Sequence, residues 1–211
     1  MPELADESVQ FCITSTSAWE PLEAAIPEIY RVLKPDGVFI LNIGQFPPGS
    51  GGYERFKKEG NERAMPLLPH VIAEWVLQGT SFRLEENLIN VMSYGIKPRR
   101  WICNYEHYFV YSKTSGYYMS QSYPLMAGWL YDRPIGNTVV DAATFDPDVI
   151  STLLEVFSKP GSLVLDPLAG RGTLGKVATK LGRDCVLYEI NKSLEKAIRE
   201  NIGRGLIEIA A

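Results

Sequence analysis

Residues 163–173 read Leu163-Val164-Leu165-Asp166-Pro167-Leu168-Ala169-Gly170-Arg171-Gly172-Thr173. A short apolar run ends in an acid and passes into a tight Gly-x-Gly turn. A helical pattern follows, with Leu174, Val177, Ala178 and Leu181 on one face and Gly182 as its stop. Glycines let a backbone approach a ligand closely and adopt positive φ. The next apolar run, Cys185 to Ile190, carries Glu189, placed where a carboxylate can accept hydrogen bonds from two ribose hydroxyls. Strand, acid, glycine turn, helix, strand and second acid, in that order, describe an adenosine-type site. A connector whose glycines serve only the turn would leave both acids unexplained. The stretch is read as neither a dinucleotide fingerprint nor a phosphate loop, and it lacks the lysine-serine pair of the latter.

Outward from this stretch, strands and helices alternate. Val9 to Ser15 reads as a buried strand, and from Trp19 the period changes, with Leu22, Ala25, Ile26, Ile29 and Leu33 on one helical face. Pro35-Asp36-Gly37 is turn chemistry that stops that helix, and Val38 to Ile43 is apolar enough for a strand covered on both faces. A loop rich in proline and glycine follows at Pro47 to Gly52. Leu68, Val71, Ile72 and Trp75 mark a helix closed near Gly79, and Phe82–Met92 and Tyr105–Tyr111 read as strands. Asp146 caps a helix with Pro147 at its first position and Ile150, Leu153, Leu154 and Phe157 on its buried face. Asn191 caps a last helix to about Ile202. This order predicts an α/β, mostly parallel sheet with helices on both faces, one domain over residues 1–211, and ligands beyond the carboxyl ends of the strands.

Composition narrows the class. Hydrophobic residues make up 45% of the 211, enough for a sizeable core, and no apolar run reaches membrane-spanning length. Met1 to Glu7 is polar and acidic and has no signal-peptide character, so the expected location is the cytoplasm. Cys12, Cys103 and Cys185 are too scattered for a metal site with His70 and His107, so no metal is expected. A formal charge of −4 leaves only local basic patches for a polyanion. The candidates are Lys97, Arg99 and Arg100 beside Trp101, and Arg55, Lys57 and Lys58; either cluster also fits a solvated loop.

The glycine stretch, followed by Leu181-Gly182-Arg183 and Glu189-Ile190-Asn191, resembles the cofactor loop of DNA amino-methyltransferases. That family's pattern runs roughly Asp-Pro-Phe-x-Gly-Ser-Gly-Thr, then Gly-Arg, then Glu-Ile-Asn. Leu168 and Arg171 stand for its Phe and Ser. Thr144-Phe145-Asp146-Pro147 is similar to the segment that folds over the methionine end of the cofactor, although Asp141-Ala142-Ala143 replaces the usual His-Pro-Ala. Asp6-Glu7-Ser8-Val9 through Ser15, Leu33-Lys34-Pro35-Asp36-Gly37, and Asn104-Tyr105-Glu106-His107-Tyr108 through Lys113 fit the same template. A catalytic segment first and a cofactor loop last is the permuted order of the beta class. The resemblance implies a Rossmann-like methyltransferase fold with a terminal antiparallel strand pair, and S-adenosylmethionine as cofactor. It implies cofactor contacts at Asp166, Pro167, Leu168, Ala169, Gly170, Gly172, Thr173, Glu189, Phe145 and Thr14. It also implies DNA as partner, for which the local basic patch of Lys97, Arg99 and Arg100 is the expected contact on grounds of charge. A homodimer or other protein partner fits as well. The short segment 114–139, with its many tyrosines, stands where the family reads its target.

The same resemblance places the catalytic tetrapeptide, Asp/Asn/Ser-Pro-Pro-aromatic, after the first strand. Its polar side chain and proline carbonyl accept the two amino hydrogens of the base, and its aromatic ring stacks on the flipped base. Here the segment is Thr14-Ser15-Thr16-Ser17-Ala18-Trp19. Thr14, Ser15 and Trp19 match the form associated with cytosine N4 enzymes, which favours cytosine N4 over adenine N6. Thr16-Ser17-Ala18 replaces Pro-Pro-Tyr. The catalytic candidates are therefore Ser15, Thr16 and Trp19, with Trp19 either a substitute ring or a helix-start packing residue. Two functions of different class follow: a DNA amino-methyltransferase with an atypical segment, and a cofactor-binding subunit with impaired chemistry. Methylation of RNA or of a small molecule is a weaker third.

Overall fold

The structure is a computed structural model, and it describes residues 1–15, 19–43, 68–91, 105–120 and 146–202. The elements in chain order are β1 (Val9–Ser15), α1 (Trp19–Val32), β2 (Leu33–Ile43), α2 (Leu68–Gly79), β3 (Arg83–Val91) and β4 (Tyr105–Ser112). Then come α3 (Pro147–Phe157), β5 (Leu163–Asp166), α4 (Thr173–Lys180), β6 (Asp184–Leu187), a 3-10 turn (Lys192–Leu194) and α5 (Glu195–Ile202). The six strands form one sheet in the order β3-β4-β2-β1-β5-β6. The ladders among β2, β1, β5 and β6 are parallel, and β4 runs antiparallel to both β2 and β3. The mostly parallel sheet with an antiparallel pair at one edge is the expected α/β architecture.

Side chains alternate across each strand and so feed two cores. Cys12, Phe39, Leu41, Phe109, Tyr111 and Leu165 meet α1 and α2 on one face. Phe11, Ile13, Ile40, Tyr108, Val110 and Val164 meet α3, α4 and α5 on the other. The parallel strands are buried on both sides, so their sequences read as continuous apolar runs rather than alternating ones. Cys12 and Cys185 are buried free thiols, as expected for core residues. Among the described residues no helix is long and apolar enough to cross a membrane, and no group of three metal-binding side chains exists.

Three boundaries differ from expectation: β6 ends at Leu187 rather than Ile190, Asn191 caps the 3-10 turn ahead of α5 rather than α5 itself, and α1 stops earlier than its apolar face suggests. The helix ends at Val32, and Leu33 opens β2 instead of closing α1. Pro35-Asp36-Gly37 does not separate two elements; it lies inside the strand, where the β1–β2 register jumps from Val9↔Leu33 to Phe11↔Val38. The extra residues bulge outward and find partners of their own. Gln10 Nε2 donates to Asp36 O at 3.1 Å, Thr114 Oγ1 to Pro35 O at 3.0 Å and the Tyr118 amide to Asp36 O at 2.8 Å. A bulge uses the same Pro-Asp-Gly chemistry as a turn, so local sequence cannot tell the two apart. The residues after β4 are thereby tied to the amino-terminal end of β2. Tyr117 packs on Phe157, and Tyr118 lies under the Lys159 ammonium. Those two tyrosines serve packing; positions 121–139 of the expected target-reading segment lie outside the described residues.

Candidate functional site

The parallel strands β1, β5 and β6 end side by side, and Ser15, Asp166 and Glu189 stand at or just past those ends. Ligands bind at such an edge because the loops leaving the strands open away from one another. The glycine turn is built into this edge. The Ala169 amide donates to Tyr188 O at 2.8 Å and the Gly172 amide to Ala169 O at 2.8 Å. Gly170 and Gly172 sit at φ 53° and 78°, a region where a side chain is strained. At Gly172 a Cβ would also press on Ile198 Cγ2 at 3.2 Å, whereas at Gly170 it would enter open space. The backbone at Gly170 is therefore bare toward the cleft. Gly175 completes a Gly-x-Gly-x-x-Gly spacing with the other two, so that spacing is present. Its use is packing: a Cβ there would lie 2.7 Å from Ile202 and 2.9 Å from Leu187.

Of the residues assigned to the cofactor, Pro167 and Ala169 are buried, Leu168 and Thr173 are half-buried, and Thr173 is the first residue of α4. Glu189 is half-buried, and each of its carboxylate oxygens already holds a backbone amide. Gly170 N donates to Oε2 at 2.7 Å and Asn191 N to Oε1 at 2.7 Å. A carboxylate has about four acceptor positions, so two remain for a ligand's hydroxyls. Phe145, Thr16, Lys97, Arg99 and Arg100 lie outside the described residues, as do Arg55, Lys57 and Lys58. Trp19 is placed as the first residue of α1.

Asp166 is the electrostatic centre of the edge. It is fully buried, and Leu168 N donates to its Oδ1 at 3.0 Å. Burial pushes its carboxyl up to about 7; the Leu168 amide and the nearby Thr14 hydroxyl pull against that, and the Glu189 charge adds to it. Despite their proximity, Asp166 Oδ2 and Thr14 Oγ1 make no hydrogen bond of ordinary geometry, and both are buried without a partner. Buried polar atoms are nearly always paired, so two orphans in one place point to a ligand group. A carboxylate and a hydroxyl suit a cationic donor.

A pH dependence follows. Asp166 has a folded pKa above its unfolded value, so it contributes stability that is full near pH 4 and lost as pH rises through about 7. Relative to Asp166→Asn, the ligand-free protein is expected to lose stability over that interval in urea unfolding. A positively charged ligand should reverse the trend, raising the melting temperature more at pH 8 than at pH 5.5. Parallel pH profiles for both proteins would refute this.

Two neighbours at the same edge were not singled out as site residues by the sequence reading. Asn42, the register partner of Ser15 on β2, is buried, and its Nδ2 reaches His107 O at 3.3 Å and Glu106 Oε2 at 3.4 Å. Glu106 also accepts from Tyr108 Oη at 3.4 Å. Burial raises its carboxyl above the ordinary glutamate value, Asn42 and Tyr108 oppose the rise, and the charge of Asp146 adds to it. The available signal was an asparagine closing an otherwise apolar run and a glutamate entering another.

Known proteins resemble this arrangement along most of the chain. The N6/N4 methyltransferase family model, described as DNA methylase, matches residues 10–200. Type II methyltransferase M.XycI of Xanthomonas campestris pv. cyanopsidis is 27% identical over 215 residues, covering 88% of this chain and 71% of that protein. Type II methyltransferase M.MjaI of Methanocaldococcus jannaschii is 28% identical over 208 residues, covering 83% of this chain and 64% of that protein. TTHA0409, a putative DNA modification methylase from Thermus thermophilus solved with S-adenosyl-L-methionine, superposes with a TM-score of 0.66 at 19% identity, covering 100% and 95% of the two chains. PvuII DNA methyltransferase, titled cytosine-N4-specific, gives 0.62 at 17%, covering 98% and 89%.

Proposed function

The chain belongs to the DNA methylase family of N6/N4 methyltransferases, and from that premise we propose that it transfers a methyl group from S-adenosylmethionine to an exocyclic amino group of a DNA base, cytosine N4 in preference to adenine N6. The observation that carries the reading is the shared edge: the Asp166–Gly172 turn and Glu189 stand beside Ser15 at the ends of adjacent parallel strands. The cofactor fits what is there. Asp166 Oδ2 and Thr14 Oγ1 are free to receive an ammonium, Gly170 leaves its backbone bare, and Glu189 has acceptor positions left for ribose hydroxyls. The cofactor supplies an electrophilic methyl group; the chain's part is to hold donor and amino nitrogen in line and to exclude water. Ser15 accepts one amino hydrogen, and the match of Thr14, Ser15 and Trp19 to the form associated with cytosine N4 enzymes is the basis of the cytosine preference.

Residues 1–211 are taken as one methyltransferase domain, with 114–139 standing at the target-recognition position. DNA is met weakly, through Lys97, Arg99 and Arg100, because the total charge is −4. A second reading is favoured by Thr16-Ser17-Ala18: a subunit that binds cofactor and partner but turns over slowly. Calorimetry with S-adenosylmethionine tests what the two readings share. The native chain is expected to bind, and Glu189→Gln to bind about tenfold or more weakly, since a charged acceptor becomes a neutral amide. No binding by the native chain would remove both readings.

A further inference from the structure

We infer that Glu106 accepts the proton that the target amino group gives up, and that Asn42 and Tyr108 hold its carboxylate for that step. The inference rests on the methyl transfer proposed above. Side-chain alternation puts Ser15, Asn42, Tyr108 and Glu106 on one face of the sheet: Phe11 and Ile13 precede Ser15 there, Val38 and Ile40 precede Asn42, and Tyr108 and Val110 follow Glu106. Register lines them up, with Ser15 opposite Asn42 and Asn42 opposite Tyr108. β4 runs antiparallel to β2, so Glu106 lies past Tyr108 toward the rim where β1 and β2 end. It is half-buried there. Its Oε2 takes both donors, Asn42 Nδ2 and Tyr108 Oη, and neither donor binds Oε1.

The chemistry needs such a group. As the amino nitrogen forms its bond to the methyl carbon, the donor's S–C bond breaks and its electron pair stays on sulfur. The nitrogen is left cationic with one hydrogen too many. It regains its lone pair only by passing that proton to a base, which later releases it to water. Ser15 and Thr14 are hydroxyls and too weak. Asp146 Oδ1 already caps α3 through Asp148 N at 2.9 Å, and Asp166 lies beneath the glycine turn. His107 points to the opposite face, stacked on Phe109 with its Nδ1 against Asn87 Oδ1 at 3.0 Å. Among the described residues the charged or titratable groups acting on Glu106 are Tyr108 and Asp146, and burial outweighs the polar partners, so the carboxyl is a stronger base than an exposed glutamate.

The test is single-turnover methyl transfer to mixed-sequence DNA at saturating S-adenosylmethionine from pH 5 to 9. It is run in the native chain and in one carrying Thr16→Pro, Ser17→Pro and Ala18→Tyr. Glu106→Gln is expected to lower the rate on the order of a hundredfold and to abolish its decline at acid pH, with cofactor affinity unchanged. Tyr108→Phe removes a donor that favours the charged form, so the acid decline should move to higher pH with about a tenfold loss. Carbon-13 NMR of the Glu106 carboxyl, read without cofactor, should place its titration above the ordinary glutamate value. A Glu106→Gln chain that keeps both rate and acid limb overturns the inference alone, as does titration at or below the ordinary value. A cofactor-bound chain silent in both backgrounds overturns the methyl-transfer reading, and this inference falls with it.

Discussion

A chain carrying Thr16→Pro, Ser17→Pro and Ala18→Tyr is expected to methylate DNA on the order of a thousandfold faster than the native chain. Position 15 closes β1 and position 19 opens α1, so three residues separate the strand end from the helix start. Threonine and serine leave that link more backbone freedom than two prolines, and aiming a carbonyl from it costs entropy. A misplacement of about 1 Å at a reacting group costs roughly a hundredfold. A missing stacking ring forfeits about 1–3 kcal/mol of base binding, a further tenfold or more. The check is transfer of labelled methyl groups by both chains to the same DNA, with the labelled nucleosides identified. Equal, fast turnover by the native chain would show that its segment is already organised and that another ring holds the base.

Arg183 carries the second large effect, on stability. Its guanidinium is buried and makes four bonds. Nε donates to Ser158 Oγ at 3.2 Å, Nη1 to Leu181 O at 2.7 Å, and Nη2 to Ser158 O at 2.8 Å and Leu154 O at 3.4 Å. Ser158 O and Leu181 O belong to the cap residues of α3 and α4, carbonyls that a helix leaves without partners of its own, whereas Leu154 O also accepts from the Ser158 amide and hydroxyl. Arg183→Ala removes the side-chain donors to the buried Ser158 carbonyl and the part-buried Leu181 carbonyl and leaves a cavity between the two helix ends. A loss of about 3 kcal/mol is expected, which urea unfolding would read as a shifted midpoint. Arg183→Lys should recover less than half, because an ammonium cannot span acceptors that a planar fork reaches together. A midpoint shift below about 0.5 kcal/mol for Arg183→Ala would show that water replaces the guanidinium.

The legible parts of the sequence were those where local chemistry has one outcome. Asp146-Pro147 specifies a helix start, and the structure shows Asp146 capping α3 with Pro147 at its first turn. Gly170 and Gly172 specify a turn through positive φ, and both have it. Pro35-Asp36-Gly37 was misleading because turn and bulge share residues, and only the distant partner Gln10 decides between them. Asn42 and Glu106 went unassigned for a related reason. They are 64 positions apart, and their pairing depends on β4 settling antiparallel beside β2, a long-range fact that no local pattern encodes. The basic candidates Lys97, Arg99 and Arg100 lie outside the described residues, so those assignments rest on sequence alone.

The sheet order has a consequence for how the molecule is made. β1 precedes the other five strands in the chain, yet it finishes between β2 and β5 at the middle of the sheet. Cys12 pairs with Leu165, so one side of the central ladder closes across roughly 150 residues of chain, a slow and entropically costly event. Until then β1 keeps an apolar edge open on the β5 side. The two walls of the cleft are therefore separable: a fragment ending before α3 and a fragment beginning at α3 each lack the ladder that joins them. Co-expressed, they should reassemble by adding β5 to β1, and binding of the cofactor would report their union.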